Sequence, residues 1–170
     1  QGKYLAINLA RAGYDLMVYD VRPEPLDELR AAGAKIAASN GDVARHAEII
    51  EVCVLNDAQA EAVLLGADGV LAAATRGSLV VIHSTIHPST ITKLAAAAQA
   101  RGIELIDAPV SGSEAGAKAK TMSYMVGGTA EQLEPALEVL EGQLEVALAA
   151  PHATHLVERD GRLGLARRDP

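Results

Sequence analysis

The sequence predicts an α/β fold of the doubly wound, Rossmann-like kind, built on a mostly parallel sheet. Short apolar runs alternate with stretches of helical spacing as far as Leu140. Several runs, at 49–55 and 78–83, are apolar on both faces, the pattern of parallel strands covered by helices on each side. The polar or small-residue turns after Asp20, Leu55, His83 and Asp107 all fall at carboxyl ends of strands, where such sheets bind ligands.

Each element has its own signal. Residues 3–12 place Leu5, Ile7, Leu9 and Ala12 on a helix that Gly13 stops. A strand follows at 14–20. Pro23 and Pro25 open a helix running through Leu26, Leu29 and Ala32 to Gly33. A short strand at 34–37 leads to a helix through Val43 and Ala47. The strand at 49–55 is interrupted only by Glu51. Residues 57–65 read as a helix with Asp57 at its N-cap, then a turn at 66–69 and a brief helical turn at 70–74. After the strand at 78–83, Pro88 starts a helix through Ile91, Leu94, Ala95 and Ala98 to Gly102. A strand at 103–107, a loop, a strand at 122–126 and a helix at 130–140 complete a domain spanning 1–141. Residues 142–170 change character: they are polar, Arg-rich and without a helical stripe, and are expected to form a poorly ordered tail.

Composition narrows the class. Of 170 residues 49% are hydrophobic, yet there is no Phe, no Trp and only four Tyr, so the core is aliphatic. The net charge of −7, with no basic stripe, argues against nucleic acid as a partner. No secretory segment and no bilayer-length apolar run is present, so a cytoplasmic setting is expected. The single Cys53 cannot form an internal disulfide and reads as a buried, inert thiol. His83 and His87 lack the accompanying ligands of a metal site. Beginning at Gln1 within a helix, the chain reads as a fragment.

The chemistry concentrates in Asp107-Ala108-Pro109-Val110-Ser111-Gly112-Ser113. An apolar strand breaks at Pro109 into small residues, and Ser111, Gly112 and Ser113 offer hydroxyls and backbone amides to a carboxylate or phosphate. The same seven residues read equally as an ordinary strand-to-loop turn. Gly2 opens the first helix and Asp20 ends the next strand eighteen positions later. These are the helix and the acid of a dinucleotide fingerprint, whose first strand and first two glycines are not in this sequence. Asp20 would accept hydrogen bonds from ribose hydroxyls and favour NAD, while Arg22 would tolerate the 2′-phosphate of NADP or stack on adenine. For both residues the plainer reading is a solvated charged turn before Pro23.

The stretch Asp107-Ala108-Pro109-Val110-Ser111-Gly112, with Gly116-Ala117 and Met125-Val126-Gly127-Gly128, resembles the β-hydroxyacid dehydrogenase family. That family includes the 3-hydroxyisobutyrate and 6-phosphogluconate dehydrogenases and tartronate semialdehyde reductase, and the resemblance runs from about Gly2 to Leu140. It implies hydride transfer between NAD(P) and a small hydroxy acid. On the matching positions, Gly2, Asp20, Arg22, Leu55, Asn56 and Thr85 would bind cofactor; Asn56 stands where the family has Pro. Ser111, Gly112 and Ser113 would hold substrate, with Ser113 replacing the family's Gly. The family's acid/base lysine, in a Gly-x-x-Lys-x-x-x-Asn pattern on a later helix, has no counterpart, so no catalytic residue is assigned. Lys118 and Lys120 read as solvated loop lysines. The resemblance also implies a helical domain that makes the family's dimer and is not in this sequence; a homo-oligomer remains compatible. Two other readings stand beside the enzyme: an inactive dinucleotide-binding or interaction module, and an imine reductase. In the family's fold the first strand lies centrally, between the strands at 14–20 and 49–55. Without it the chain is expected to fold poorly or dimerise through the gap, unless residues 144–148 fill it.

Overall fold

The structure is a computed structural model that describes residues 1–143, 154–159 and 162–167. Its ladders show where the sheet is continuous. Strands β1 (Met17–Val18) and β2 (Lys35–Ile36) pair in parallel, as do β3 (Ile49–Val52), β4 (Leu79–Ile82) and β5 (Glu104–Asp107) in that order. No ladder joins β1 to β3 among the described residues. The break falls where the family resemblance implies a central strand between them; residues 144–148, the segment considered for that gap, lie outside the described residues.

Strand β4 is central to its sheet and buried at every position. Leu79 and Val81 point into one apolar cluster, and Val80 and Ile82 into the other, so the alternation of a strand divides one run between two cores. Helix α6 (Pro88–Gln99) covers the Val80 and Ile82 face with Thr90, Leu94 and Ala98, spaced four apart. On the same face lie α3 (Asn40–His46), α4 (Asp57–Leu65) and α5 (Val70–Ala73), which contribute Ala44, Ala60, Leu64, Val70 and Leu71.

The other face is closed by α1 (Gly2–Ala12), α7 (Ser113–Ala119) and α8 (Ala130–Gly142). Helix α8 presents Leu133, Ala136 and Leu140 to it. Helix α1 serves both sheets: Leu5 enters the β4 cluster, and Ile7 packs with Leu29 of α2 (Glu24–Ala31) over β1 and β2. Gly13 ends α1 at φ 93°, the left-handed conformation a side chain disfavours.

Several boundaries differ from the sequence reading, for local reasons. The strands at 14–20 and 49–55 contract to β1 and β3, because a ladder needs a partner as well as an apolar run. Asn56, not Asp57, caps α4: its side chain accepts from the Gln59 amide at 3.0 Å. Asp57 instead accepts from the His87 amide at 2.9 Å and ties α4 to the start of α6. The loop after Pro109 contains structure that the sequence did not announce. Strand β6 (Val110–Ser111) pairs antiparallel with β7 (Ser123–Tyr124), and α7 lies between them. Beyond α8, β8 (Thr154–Arg159) and β9 (Arg162–Arg167) pair antiparallel, a regular ribbon within the stretch read as a poorly ordered tail.

Candidate functional site at the carboxyl edge of the sheet

Register fixes which turns become neighbours. Val52 stands opposite Ile82, and Ile82 opposite Asp107. The residues leaving β3, β4 and β5 therefore emerge side by side at one edge: 53–56, then 83–85, then 108–113. Asp20 and Arg22 follow β1 in the other parallel sheet.

Gly2 is the first residue of α1 and lies against the exit of β3. A Cβ built there would stand 3.0 Å from Cys53 Cβ and 3.2 Å from its Sγ, so the close approach favours glycine. Cys53 is exposed, which corrects the reading of a buried thiol: β3 ends at Val52, and the next residue already lies at the edge. The surrounding protein nevertheless pushes its thiol up, mainly by desolvation, which disfavours a thiolate.

Asp20 is held by Arg22 through its backbone amide and the Nε and Nη2 of its guanidinium. Partial burial raises the carboxyl, but the Arg22 hydrogen bonds and charge lower it by more, so it stays below the ordinary carboxylate value. Leu55 is 87% exposed at the lip, beside the capping Asn56. Thr85 is exposed and does not cap α6; His87 takes that place, its ring nitrogen accepting from the Ser89 amide. The neighbouring Ser84, which sequence reasoning passed over, is the structural residue: its hydroxyl takes the Val54 amide at 2.7 Å and donates to the Val54 carbonyl at 2.8 Å. These bonds stitch the exits of β3 and β4 together.

Ser111, Gly112 and Ser113 are all exposed. Gly112 has φ 134°, and a Cβ there would meet Met122 Sδ at 2.9 Å, so glycine is needed both for the turn and for the packing. Ser113 follows at φ 59°. The loop is anchored by the β6–β7 pair and by Asp107 and Gly127, which exchange backbone hydrogen bonds at 3.2 and 2.8 Å.

Two lysines, Lys118 and Lys93, are engaged with acids. Lys118 sits on α7, not in a loop, 2.7 Å from Glu114 and 4.6 Å from the Tyr4 ring centre. The Glu114 hydrogen bond, with help from Tyr4, pushes its pKa up to about 12, the wrong direction for a general base. Lys93 pairs with Glu61 at 2.8 Å on the outer side of α6. A depression of about 290 Å³, lined by Gly77, Leu79, Glu104 and Gln132 among others, lies at the amino ends of β4 and β5, away from these residues.

A parallel sheet with helices on both faces, a helix opening against the exit of β3 and an acid closing β1 define a Rossmann-like dinucleotide-binding domain. The chain belongs to the family of the NAD-binding domain of 6-phosphogluconate dehydrogenase, whose model matches residues 1–146. It is 43% identical over 140 residues to a Pseudomonas aeruginosa NAD-dependent L-serine dehydrogenase, an alignment covering 82% of this chain and 47% of that protein. It is 37% identical to mouse mitochondrial 3-hydroxyisobutyrate dehydrogenase, covering 82% and 42% respectively. Among solved structures, the 3-hydroxyisobutyrate dehydrogenase of Salmonella typhimurium superposes with a TM-score of 0.79 at 32% identity, over 85% of this chain and 50% of that one. The chain thus spans about half the length of the curated relatives it matches.

The residues present fit a dinucleotide. The Gly2–Cys53 approach leaves the start of α1 without a side chain, and Asp20 offers a carboxylate at the end of β1. No helix among the described residues is long and apolar enough to cross a membrane.

Proposed function

We propose that this chain is the cofactor-binding part of an NAD(P)-dependent β-hydroxyacid dehydrogenase. The observation that carries the reading is the convergence on one sheet edge of residues 55–56, 85 and 111–113, beside a helix that opens at Gly2. Asp20 would bind the adenosine ribose, with Arg22 beside it; Leu55, Asn56 and Thr85 would line the path toward the nicotinamide. Ser111, Gly112 and Ser113 would hold the carboxylate or hydroxyl of a small hydroxy acid. The nicotinamide, when bound, supplies the hydride acceptor. This chain's contribution is orientation: three short loops, the first two tied through Ser84 and the third by the β6–β7 pair, would present amides and hydroxyls to the two ligands.

A second reading has its own support: the chain binds dinucleotide without turnover. Lys118 and Lys93, the lysines on helices near the loop and the β4 exit, are both paired with acids, and Lys118 is held protonated. Calorimetric titration with NAD and NADP, followed by turnover of L-serine and 3-hydroxyisobutyrate, separates the two. Binding with turnover that Ser111→Ala abolishes supports the enzyme. Binding without turnover supports the module. A folded chain that binds neither nucleotide overturns both.

A further inference from the structure

The loop at 109–113 is rooted at Ala108, and a buried imidazole holds the carbonyl of that residue. His83 leaves β4 with 2% of its surface exposed, and its Nδ1 lies 3.0 Å from the Ala108 oxygen. A carbonyl only accepts, so Nδ1 carries a proton. On the other side, Nε2 lies 3.1 Å from Glu51 Oε1 of β3. The carboxylate sits off the axis of a linear hydrogen bond, so charge carries this contact. An unprotonated nitrogen 3.1 Å from a carboxylate is repelled by its charge, so the arrangement favours a proton on Nε2 and a ring that is an imidazolium.

The surroundings hold Glu51 in place. Both its oxygens lie 2.6 Å from Gln143 Nε2, and the Gln143 amide oxygen accepts from the Tyr124 hydroxyl. Asn8 of α1 donates to the Gln143 carbonyl at 3.4 Å and to that of Ala117 at 2.9 Å. The Tyr124 ring meets His83 edge-on, centroids 5.6 Å apart. The other titratable groups around the cluster are Cys53 of β3, Tyr124 of β7 and Tyr14 after α1. Burial pushes all three up, so they keep their protons at neutral pH. Glu138 and Glu141 of α8 act on Tyr14. Glu51 is the anion facing the imidazole.

We propose that His83 is a positioning residue for the loop carrying Ser111, Gly112 and Ser113: paired with Glu51, the imidazolium holds the Ala108 carbonyl through Nδ1–H, and loss of the Nε2 proton sets a lone pair against the Glu51 carboxylate, moving the ring and with it the loop's root. Burial opposes the charged ring, but the Glu51 charge and hydrogen bond, with the Ala108 carbonyl, outweigh it and raise its pKa. The role of the loop in substrate binding rests on the function proposed above; the coupling between His83 and the loop does not.

The test is an NMR titration of the full chain without nucleotide or substrate. It follows the His83 ring nitrogens and the amides of Val110, Ser111, Gly112 and Ser113 between pH 5 and 9. The expected result is a His83 midpoint above its ordinary value of about 6.5, with the loop amides moving at the same midpoint. Glu51→Gln should lower that midpoint at least tenfold in proton affinity. His83→Gln, whose amide can still donate to Ala108, should abolish the loop's titration. Loop amides that do not follow the ring, or a Glu51→Gln midpoint that does not fall, would overturn the proposal. Should either variant fail to fold, the wild-type titration decides alone. Failure to bind NAD in a separate titration would remove the dinucleotide reading and leave this result standing.

Discussion

The carboxylate of Asp20 is bound three times by Arg22, two positions later: the Arg22 amide reaches Oδ1 at 2.9 Å, and Nε and Nη2 reach Oδ1 and Oδ2 at 3.2 Å each. A single chelated pair thus sits just past β1, where the proposed function puts the adenosine ribose. The guanidinium side chain is 70% exposed, so it can leave a carboxylate oxygen to a ribose hydroxyl without unpacking the core.

From this pair, Asp20→Asn should weaken NAD binding by about 10- to 100-fold, the loss of hydrogen bonds to a charged acceptor. NADP binding should change less, because a negative group facing the 2′-phosphate is removed at the same time. Arg22→Ala should do the reverse and penalise NADP. Calorimetric titration of each variant with both nucleotides checks the pattern; equal losses for both nucleotides would contradict it. Because the Asp20 carboxyl lies below its ordinary value, its contribution should hold at neutral pH and fade only as pH falls below the usual carboxylate range.

Gly112→Ala should destabilise the chain by about 1–3 kcal/mol, since a left-handed residue with no room for a Cβ stores that order of strain. Met122 is the obstacle, its Sδ 2.9 Å from the added carbon. Urea unfolding of wild type and variant reads the loss, and a change below a few tenths of a kcal/mol would show that the loop yields freely.

Gln143→Leu should cost more than its lost volume. The residue is fully buried and bonds Glu51 and Tyr124 together, and each orphaned partner is expected to cost about 1–3 kcal/mol. Tyr124→Phe removes a hydroxyl and leaves only the Gln143 oxygen unpaired, so it should cost less. Thermal melts of the two variants should rank in that order.

Stability should carry a pH signature from His83. Its folded pKa lies above the unfolded one, so its contribution is complete below about pH 6.5 and is lost as pH rises through the raised folded value. The stability difference between wild type and His83→Gln should therefore narrow from pH 5 to pH 9. Guanidinium unfolding across that range measures it; a difference that widens with pH would carry the wrong sign.

Strands β1 and β3 are each paired on one side only among the described residues, and such edges template association. Sedimentation over a concentration series should show self-association that Glu51→Lys on β3 alters. A sharply cooperative melt from a monomer at every concentration would contradict this.

The elements most legible in the sequence are those whose signals are local. The stripe Thr90, Leu94, Ala98 with Pro88 ahead of it specifies α6 without reference to any neighbour, because helical hydrogen bonds and one apolar face are both encoded within twelve residues. The all-apolar run of β4 likewise announces a strand covered on both sides. The positions of Asp20, Thr85 and the 111–113 loop follow from the same rule, since the turn after a parallel strand must lie at its carboxyl end.

Other features need the assembled fold. That Ser84 rather than Thr85 stitches two strand exits depends on which hydroxyl faces Val54, thirty residues away. Glu51, read along the chain, is a lone interruption in an apolar strand; its meaning comes from His83 on the next strand and Gln143 at the end of α8. The sequence by itself determined the alternation of strands and helices, the family and the edge of the sheet where the polar turns gather, because periodicity and motif are local properties. Tertiary structure alone decided how buried polar groups are satisfied and which glycines lack room for a side chain. Those outcomes depend on distances between segments far apart in the chain, and no local pattern encodes them.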